Sequence, residues 1–502
     1  MEYFSRVTPE SVGIHSKGII DFIESAASKG IEQHSLMIIR HGKCAAAGWW
    51  KPYGSEYLHP LYSFSKTLTA TAIGFAEQEG ILSLDEKLID IFPDKLPNEV
   101  SDNLREVSLH HLLIMGCGHE TEINGLDPDW IRHFLAHPFL HKPGTFYKYN
   151  TAGTNMLAAV LKRKTGQDVT EFLRPRLLDP LGITEITCAH LPDENSVELG
   201  GGGMKLRTED MAKFIYFVLH KGEWEGKQLL RSEWFDKASA KQIETAGDSE
   251  GHIKEWAKGY GYQCWMCSLP DSFRADGAYG QFGFVYPTLD MIVIMTTATE
   301  QTQALVDSMM DFLIPAVKEE VLPESPDSQK LSDMLQQLHI PALIGDRCPV
   351  MEQALTSQTY RTMAASPKEG CCSMETLIGG VGLFDVFQGE ITEMSFNVVG
   401  DTLYWNVVET GENGHTEKRQ IAASFTQCFN LSDCNGNIYG ASARWRSFRV
   451  LELEIRRIDA VSGARIIFRF TDNGLTLEAD DTLVSVGGLG IWPKQIAPFR
   501  RI

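Results

Sequence analysis

The hydrophobic pattern of the chain changes near residue 320, and this change limits the folds that are open to it. Upstream, amphipathic helical segments mix with short apolar strands, such as a helix over 19–27 and a strand over 35–39. Downstream, apolar and polar residues alternate with the period of two that half-buried strands require, as in Leu451-Glu452-Leu453-Glu454-Ile455. We therefore predict an α+β domain that is followed by an all-β domain.

The segment between these two regions is rich in proline and acidic residues. Pro323-Glu324-Ser325-Pro326-Asp327 is typical of a linker, because proline cannot continue a regular helix or a central strand. We expect a short amphipathic helix inside it, from about Gln329 to Leu338. The predicted domains are residues 1–320 and 340–502, and the predicted linker is 321–339.

The C-terminal region also carries the pattern of a β-hairpin. Ile466, Phe468 and Phe470 lead through Asp472-Asn473-Gly474 into a second period-two run that begins at Leu475. Turn residues between two alternating apolar runs indicate two antiparallel strands. We therefore predict that the second domain is an antiparallel sheet or a small barrel.

The charge balance excludes two classes of partner. The chain has 46 Lys and Arg against 66 Asp and Glu, which gives a formal charge of −20. This excess of negative charge repels nucleic acid and anionic membrane surfaces, which bind proteins through Lys and Arg. The sequence shows neither a long apolar run nor a basic and apolar leader segment. We expect a cytoplasmic protein that binds neither nucleic acid nor membrane.

Ser63 and Lys66 form the only Ser-x-x-Lys sequence in the chain, at the start of an apolar helix predicted over 67–79. Residues three apart on a helix share a face, so the lysine amine can reach the serine hydroxyl. Apolar surroundings lower the pKa of a lysine, and a neutral amine can serve as the base for a nucleophilic serine. A helix-capping serine followed by a surface lysine is the alternative interpretation.

A second segment with candidate catalytic residues follows a Pro143-Gly144 turn. It contains Tyr149 and Thr151 on a loop, and we predict that a helix begins after it, near Asn155. A tyrosine close to a lysine can carry a proton between a nucleophile and a leaving group. A packed aromatic ring with a satisfied hydroxyl is the alternative for this tyrosine.

Together these segments resemble the serine hydrolases of the penicillin-binding-protein and class C β-lactamase superfamily, and in particular its esterase and amidase branch. That family combines Ser-x-x-Lys at a helix start, Tyr-x-Asn on a loop and a Lys-Thr-Gly-like triplet on a strand. Further stretches match in the family's order, among them Leu82-Ser83-Leu84-Asp85, Arg207–Phe214 and Gly259-Tyr260-Gly261-Tyr262. The resemblance covers roughly residues 5–315. It implies a β-lactamase/transpeptidase-like domain, with an antiparallel sheet flanked by helices, that uses neither a cofactor nor a metal.

The resemblance also implies a role for each matching residue. Ser63 is the nucleophile, while Lys66 and Tyr149 move its proton, and which of the two is the base stays open. The backbone N–H groups of Ser63 and Ala278 bind the oxyanion, which requires no side-chain motif. Water then releases the acyl-enzyme, so the expected partner is a small-molecule ester or amide.

Two positions depart from the family pattern. Thr151 stands where β-lactamases have an amide side chain. Ala275-Asp276-Gly277 stands where they have Lys-Thr-Gly, so the family's cation for a substrate carboxylate is missing. Arg274 either replaces that charge or is a structural arginine. These departures favour an esterase or amidase; a β-lactamase, a D-Ala-D-Ala peptidase and a non-catalytic ligand-binding protein are the alternatives.

Several residues around these motifs are candidates for the substrate pocket. Tyr147 and Tyr279 lie beside the motifs and would form its walls, and Gly277 would let a substrate approach the strand closely. The predicted substrate-binding residues are Tyr147, Thr151, Arg274, Asp276, Gly277 and Tyr279.

Other features receive no chemical role from the sequence. The run Gly200–Gly203 has no Gly-Lys-Ser/Thr continuation, so we predict a flexible turn before a strand over 204–206. His119 and Glu122 lie on a glycine-flanked loop; we expect them to be solvated, and a place at the mouth of the pocket is the alternative. For the C-terminal domain the resemblance implies two roles, capping of the cleft and assembly of a homo-oligomer.

Overall fold

The computed structural model describes residues 3–123, 127–194, 196–246, 254–356, 358–363, 373–377, 389–411, 413–481 and 495–502. The chain divides into two compact units, and each unit is built from three segments that are separate in the sequence. The first unit comprises Met1–Gly48, Pro60–Thr297 and Gln301–Gln336, and the second comprises Trp49–His59, Ala298–Glu300 and Gln337–Ile502. The domain bounds at residues 320 and 340 stay predictions.

A six-stranded sheet forms the centre of the first unit. The strands described as far as residue 298 are β1 (Glu32–Arg40), β2 (Lys43–Trp49), β3 (His59–Pro60), β4 (Thr187–Cys188), β5 (Met204–Leu206), β6 (Glu223–Trp224), β7 (Lys227–Gln228), β8 (Trp265–Met266), β9 (Phe273–Gly277), β10 (Gln281–Tyr286) and β11 (Met291–Ala298). The sheet has the order β2-β1-β11-β10-β9-β8. Every residue of β10 and β11 is buried, which explains their continuous apolar sequence.

Fourteen α-helices lie in the described part of the chain. They are α1 (Ser16–Ser28), α2 (Ser65–Gln78), α3 (Leu88–Ile91), α4 (Asp102–Glu106), α5 (Leu109–Leu113), α6 (Trp130–Ala136), α7 (Thr151–Thr165), α8 (Val169–Leu173), α9 (Thr208–Leu219), α10 (Ser232–Ala238), α11 (Thr302–Ser308), α12 (Pro326–Gln337), α13 (Pro349–Leu355) and α14 (Met374–Leu377), the last two in the second unit. Helix α9 packs on β1 and β10, and α2 packs against α7 and α8. Among the helices of the described residues, none combines the length and the hydropathy of a bilayer span.

Short 3₁₀ and π turns extend or connect several of these helices. The 3₁₀ turns are Pro9–Val12, Tyr62–Phe64, Pro93–Lys95, Lys254–Ala257, Pro287–Leu289 and Ile314–Ala316, and the π turns are Arg174–Leu178 and Met309–Leu313. The turn Tyr62–Phe64 leads directly into α2. The chain therefore begins to coil before the predicted helix start at residue 67.

Helix α2 is buried on all sides over most of its length. Every residue from Ser65 to Ala76 is buried, and Gly80 ends the helix with a φ of 70°. A helix that is buried on every face lies in the interior of a protein, and a left-handed glycine is a common helix end. The polar side chains between Ser65 and Thr71 are therefore removed from water, whereas Glu77 is partly exposed and Gln78 is exposed.

Helix α7 begins at Thr151, so the predicted start near Asn155 is one helical turn too late. The side chain of Asn150 explains the difference, because its Oδ1 accepts a hydrogen bond from the Gly153 N–H at 3.0 Å. Such a cap satisfies one of the free N–H groups at a helix start. Tyr149 lies just outside the helix, whereas Thr151 is its first residue.

The second unit contains a closed β-barrel. Its strands in the described part of the chain are β12 (Thr359–Thr362), β13 (Glu390–Val399), β14 (Thr402–Thr410), β15 (Thr416–Ser424), β16 (Asn430–Cys434), β17 (Asn437–Ser447), β18 (Val450–Arg457), β19 (Gly463–Phe470), β20 (Gly474–Asp481) and β21 (Gln495–Arg501). They form a sheet in the order β15-β14-β13-β12-β21-β20-β19-β18-β17-β16. A parallel pairing between β15 and β17, at Ala423 and Ala441, closes nine of the described strands into a ring.

The alternating sequence pattern correctly predicted this barrel. Strand β14 alternates buried and partly buried residues along its whole length, and β19 and β20 form the hairpin expected around Asp472-Asn473-Gly474. The inward side chains form one core, which includes Trp405, Leu453 and Phe468. Both parts of the predicted fold class, the α+β domain and the barrel-like domain, are confirmed.

The cap at Asn150 predicts a measurable loss of stability. Replacement by alanine leaves the buried Gly153 N–H with only the backbone carbonyl of residue 150, at 3.1 Å, and removes the side-chain donor to His119, so Asn150→Ala should lower the free energy of unfolding by about 1–2 kcal/mol in urea titrations. Ser101 caps the short, more exposed helix α4 through the Leu104 N–H at 3.2 Å. Ser101→Ala should therefore cost less, and an equal loss in both variants would contradict the role given to Asn150.

Candidate active site

The predicted nucleophile lies on the turn between β3 and α2. Ser63 is half-buried in the turn Tyr62–Phe64, and Tyr62 before it has a φ of 47°. A positive φ is uncommon for a residue with a side chain, and such backbone is frequent at functional sites. The Leu61 N–H donates to the Met204 carbonyl at 2.9 Å, which ties the start of this turn to β5.

Lys66 lies one helical turn after Ser63 and points toward it. Its side chain is 1% exposed, and Nζ is 2.8 Å from Ser63 Oγ. Nζ also donates to the Gly201 carbonyl at 2.5 Å and contacts Thr151 Oγ1 at 3.4 Å. The structure thus brings the serine and the lysine into hydrogen-bond contact, as the spacing predicted.

Burial changes the acid–base properties of this lysine. It lowers the pKa of Lys66 from its ordinary value to about 7, while the carboxylates of Glu122 and Asp276 oppose the decrease. Burial acts in this direction because a charged amine is less stable away from water. Near neutral pH a substantial fraction of Lys66 is therefore uncharged and can accept a proton.

Tyr149 lies over the lysine from the start of α7. The centroid of its ring is 5.0 Å from Lys66 Nζ, and the ring stacks on Trp265 at a centroid distance of 5.8 Å. A tyrosine ring at this distance stabilises the protonated form of a lysine. The structure therefore brings Ser63, Lys66 and Tyr149 together from two separate segments.

Thr151 connects the lysine to a carboxylate that the sequence analysis expected to be solvated. The Thr151 N–H donates to Glu122 Oε1 at 2.7 Å, and Glu122 is itself exposed. A carboxylate at a helix N-terminus interacts favourably with the free N–H groups and with the helix dipole. No spacing rule links Glu122 to α7, so only the folded chain reveals this contact.

The triplet Ala275-Asp276-Gly277 forms the end of β9, beside the nucleophile turn. A Cβ on Gly277 would lie 2.1 Å from the Leu61 carbonyl oxygen, so only glycine allows this approach. Ala278 follows in the turn to β10 and is exposed. The residue before Ala278 thus lies against the backbone two residues before Ser63, and the role of the Ala278 N–H as an oxyanion donor stays a prediction.

Arg274 lies inside the protein. Its side chain is 0% exposed, and its Nε donates to Asp276 Oδ2 at 2.9 Å. The guanidinium also lies 4.6 Å from the centroid of the Trp256 ring. Its positive charge is thus paired with the carboxylate of the same strand, and its proposed contact with substrate stays a prediction.

The two tyrosines predicted to form pocket walls occupy different environments. Tyr147 is buried in an aromatic cluster with Tyr260 and Trp265. Tyr279 is partly exposed, and its ring meets that of Tyr62 edge to face, with centroids 5.4 Å apart. Of the two, Tyr279 lies next to the nucleophile.

His119 is buried, so the prediction that it is solvated is wrong. Its loop folds inward because the ring packs against Phe134 and Phe139, with centroids 4.7 Å and 4.0 Å away. Burial, followed by the nearby His137, lowers the pKa of His119 to about 3. The neutral ring accepts a hydrogen bond at Nδ1 from Asn150 Nδ2 at 3.1 Å, which supports the segment between Tyr149 and Thr151.

The glycine run before β5 also takes part in the site. Gly201 supplies the carbonyl that accepts from Lys66, although the sequence suggested only a flexible turn. Backbone carbonyls have no sequence signature, so this contact could not have been found from residue types. Across the described ranges, no group of three or more His, Cys, Asp or Glu is arranged to hold a metal ion.

The geometry agrees with what comparisons with known proteins show. The family model described as Beta-lactamase matches residues 21–313. A lovastatin esterase from Penicillium rubens is 29% identical over 194 residues, which cover 29% of this chain and 48% of that protein. A 6-aminohexanoate-dimer hydrolase from Paenarthrobacter ureafaciens is 22% identical over 284 residues, which cover 52% of this chain and 71% of that protein. The chain therefore spans about half the length of the first of these relatives.

A solved structure has the same fold. It is a candidate beta-lactamase from Bacteroides dorei, which superposes with a TM-score of 0.51 at 16% identity. The match covers 60% of this chain and 99% of that one. At this identity the similarity concerns the fold alone.

The position of Lys66 predicts its titration. In protein labelled with ¹³C-lysine, the Lys66 Cε signal, assigned by its loss in Lys66→Met, should titrate near pH 7. Glu122→Gln removes a charge that stabilises the protonated amine, so the midpoint should fall. Glu120→Gln, an exposed neighbour on the same loop, should leave the midpoint unchanged. A Lys66 midpoint near the ordinary value of 10.4 would contradict the proposed environment.

Proposed function

The chain belongs to the beta-lactamase family, and from this premise we propose that it is a serine hydrolase that cleaves an ester or amide bond of a small molecule. The family match confirms the resemblance inferred from the sequence. The observation that carries the proposal is the 2.8 Å contact between Ser63 Oγ and the buried Nζ of Lys66. Family membership alone does not establish activity, because one fold hosts many functions.

The proposed reaction begins with the transfer of the Ser63 proton to neutral Lys66. Oγ then forms a bond to the substrate carbonyl carbon, and the carbonyl oxygen becomes an oxyanion held by the N–H groups of Ser63 and Ala278. Tyr149 passes the proton to the leaving alcohol or amine as the bond to it breaks. Water attacks the resulting acyl-enzyme by the same steps, which releases the acid and restores the Ser63 hydroxyl.

We assign the role of base to Lys66. Its Nζ contacts Ser63 Oγ directly, and burial gives it a pKa of about 7, which suits a base that works near neutral pH. The centroid of the Tyr149 ring lies 5.0 Å from Nζ, and we assign to its hydroxyl the later transfer of the proton to the leaving group. This arrangement supports a division of the proton transfer between the two residues.

The charges at the triplet favour the binding of substrates that lack a carboxylate. Ala275 stands where the family has a lysine, and the neighbouring Arg274 is buried with its charge balanced by Asp276. Glu122 adds a further negative charge beside Thr151. Two relatives named as an esterase and as a dimer hydrolase agree with an ester or amide substrate. The cytoplasmic location and the homo-oligomer stay predictions.

The proposal predicts a covalent adduct on one serine. A fluorophosphonate should add once to the wild-type protein and not to Ser63→Ala, as measured by intact-mass spectrometry, because only an activated serine reacts. Turnover of any ester substrate should fall on the order of 10⁴-fold or more in Ser63→Ala. Ser83→Ala, which changes an exposed serine, should label like the wild type. Full activity of Ser63→Ala would refute the assignment.

The charge distribution predicts the preferred acyl group. A neutral p-nitrophenyl ester should have a kcat/KM at least about tenfold higher than an ester of equal length with a terminal carboxylate, since like charges disfavour binding. Lactamase or carboxypeptidase substrates, which carry that carboxylate, should be poor as well. A preference for the anionic ester would instead favour the β-lactamase or peptidase alternative.

A further inference from the structure

The glycine turn before β5 is held from two sides. Thr69 Oγ1 donates to the Gly200 carbonyl at 2.8 Å, and the Gly201 N–H donates to Asn155 Oδ1 at 2.9 Å. This carbonyl and this N–H belong to the same peptide unit. Helices α2 and α7 therefore fix opposite ends of one peptide, through two side chains that are almost completely buried.

The next carbonyl along the turn reaches the lysine. The Gly201 carbonyl is 2.5 Å from Lys66 Nζ, and a carbonyl can only accept, so one N–H of the lysine must point toward it. Thr151 Oγ1, at 3.4 Å, is the second partner. A neutral amine has two N–H bonds and one lone pair. When the N–H bonds point to Gly201 and Thr151, the lone pair points to the remaining partner, Ser63 Oγ.

The turn packs directly on the first turns of α7. A Cβ on Gly201 would lie 2.8 Å from Thr151 Cγ2 and 2.9 Å from Asn155 Oδ1, which is closer than such contacts allow. Residue 201 is therefore limited to glycine by its distance from the helix. The hydrogen bond to Asn155 sets that distance and the direction of the peptide.

We propose that Asn155 is a positioning residue. It holds the peptide between Gly200 and Gly201, and thereby fixes the Gly201 carbonyl that follows, so that this carbonyl directs the lone pair of Lys66 at Ser63. Among the hydrogen bonds of the described residues, Asn155 has none to Ser63 or Lys66, so its effect passes through the backbone of the turn. The proposal rests on the proposed function, in which Lys66 accepts the Ser63 proton. In this proposal the run Gly200–Gly203 takes part in the reaction, although the sequence patterns assigned it no role.

The test measures the rate at which Ser63 reacts with a fluorophosphonate between pH 6 and pH 9. In this reaction Oγ forms a bond to phosphorus, fluoride leaves, and the serine proton passes to Lys66. Asn155→Leu keeps a similar volume but removes the acceptor, so the rate should fall about 10- to 100-fold, as expected for a misplaced base. Thermal unfolding of each variant shows whether it is folded.

Asn155→Asp separates positioning from simple packing. It keeps an oxygen acceptor for the Gly201 N–H, so above the titration of Lys66 its rate should stay within about threefold of the wild type. The added carboxylate favours protonated Lys66, so the midpoint of the pH–rate profile should move to higher pH. If Asn155 had only a structural role, Asn155→Asp would not combine a retained labelling rate at high pH with a raised midpoint of the pH–rate profile.

Two threonines of α2 supply a milder variant and a control. Thr69→Val removes the hydrogen bond at the other end of the same peptide and should slow labelling by about three- to tenfold. It keeps the proposal testable if Asn155→Leu does not fold. Thr71 is buried in the same helix but donates to the Thr67 carbonyl at 2.8 Å, so Thr71→Val should react like the wild type.

The outcomes distinguish this proposal from the proposed function. If the wild type labels on Ser63 and folded Asn155→Leu and Thr69→Val label equally fast, the positioning role is refuted and the hydrolase proposal stands. The positioning role would also be refuted if the labelling rate fell equally in Asn155→Leu and Thr71→Val, in proportion to the stability that each variant loses. If the wild type does not label on Ser63 at all, the proposed function fails, and the positioning role fails with it.

Discussion

The burial of Lys66 is the constraint on which the rest of the site depends. An amine enclosed by protein is stable only when it finds polar partners, and here these are Ser63 Oγ, Thr151 Oγ1 and the Gly201 carbonyl. The enclosure comes from α2, which is buried on all sides around the lysine. The same enclosure lowers the pKa of Lys66 to about 7 and so gives it a neutral form near physiological pH. One physical condition therefore accounts for both the architecture around the lysine and its fitness as a base.

Three segments that are distant in sequence meet at this lysine, and glycines make the approach possible. Gly277 lets the end of β9 touch the backbone of Leu61, and Gly201 lets the turn before β5 lie against α7. At both places a methyl group would collide with backbone or buried atoms. The segments can therefore approach closely enough to bring Ser63, Lys66 and Tyr149 together. The Arg274–Asp276 pair balances the charge of the buried arginine within β9.

Local patterns in the sequence predicted much of the fold and the central contact of the site. Period-two alternation predicted the barrel, and the Ser-x-x-Lys spacing placed Lys66 beside Ser63. The errors have different physical causes. The cap that moves the start of α7 is local, because Asn150 accepts from an N–H only three residues away. The burial of the His119 ring and the contact between Lys66 and the Gly201 carbonyl depend instead on atoms that meet only after the chain has folded, and a backbone carbonyl has no residue-type signature.

Capture of the reaction intermediate tests the central claim most directly. The protein would be mixed with an excess of an activated ester, the reaction would be quenched with acid within the first turnover, and the digested peptides would be analysed by mass. The account predicts a burst of released alcohol equal to the protein concentration and an acyl group on the peptide that contains Ser63, attached to its Oγ. Turnover without a covalent intermediate, or an acyl group on any other residue, would contradict it.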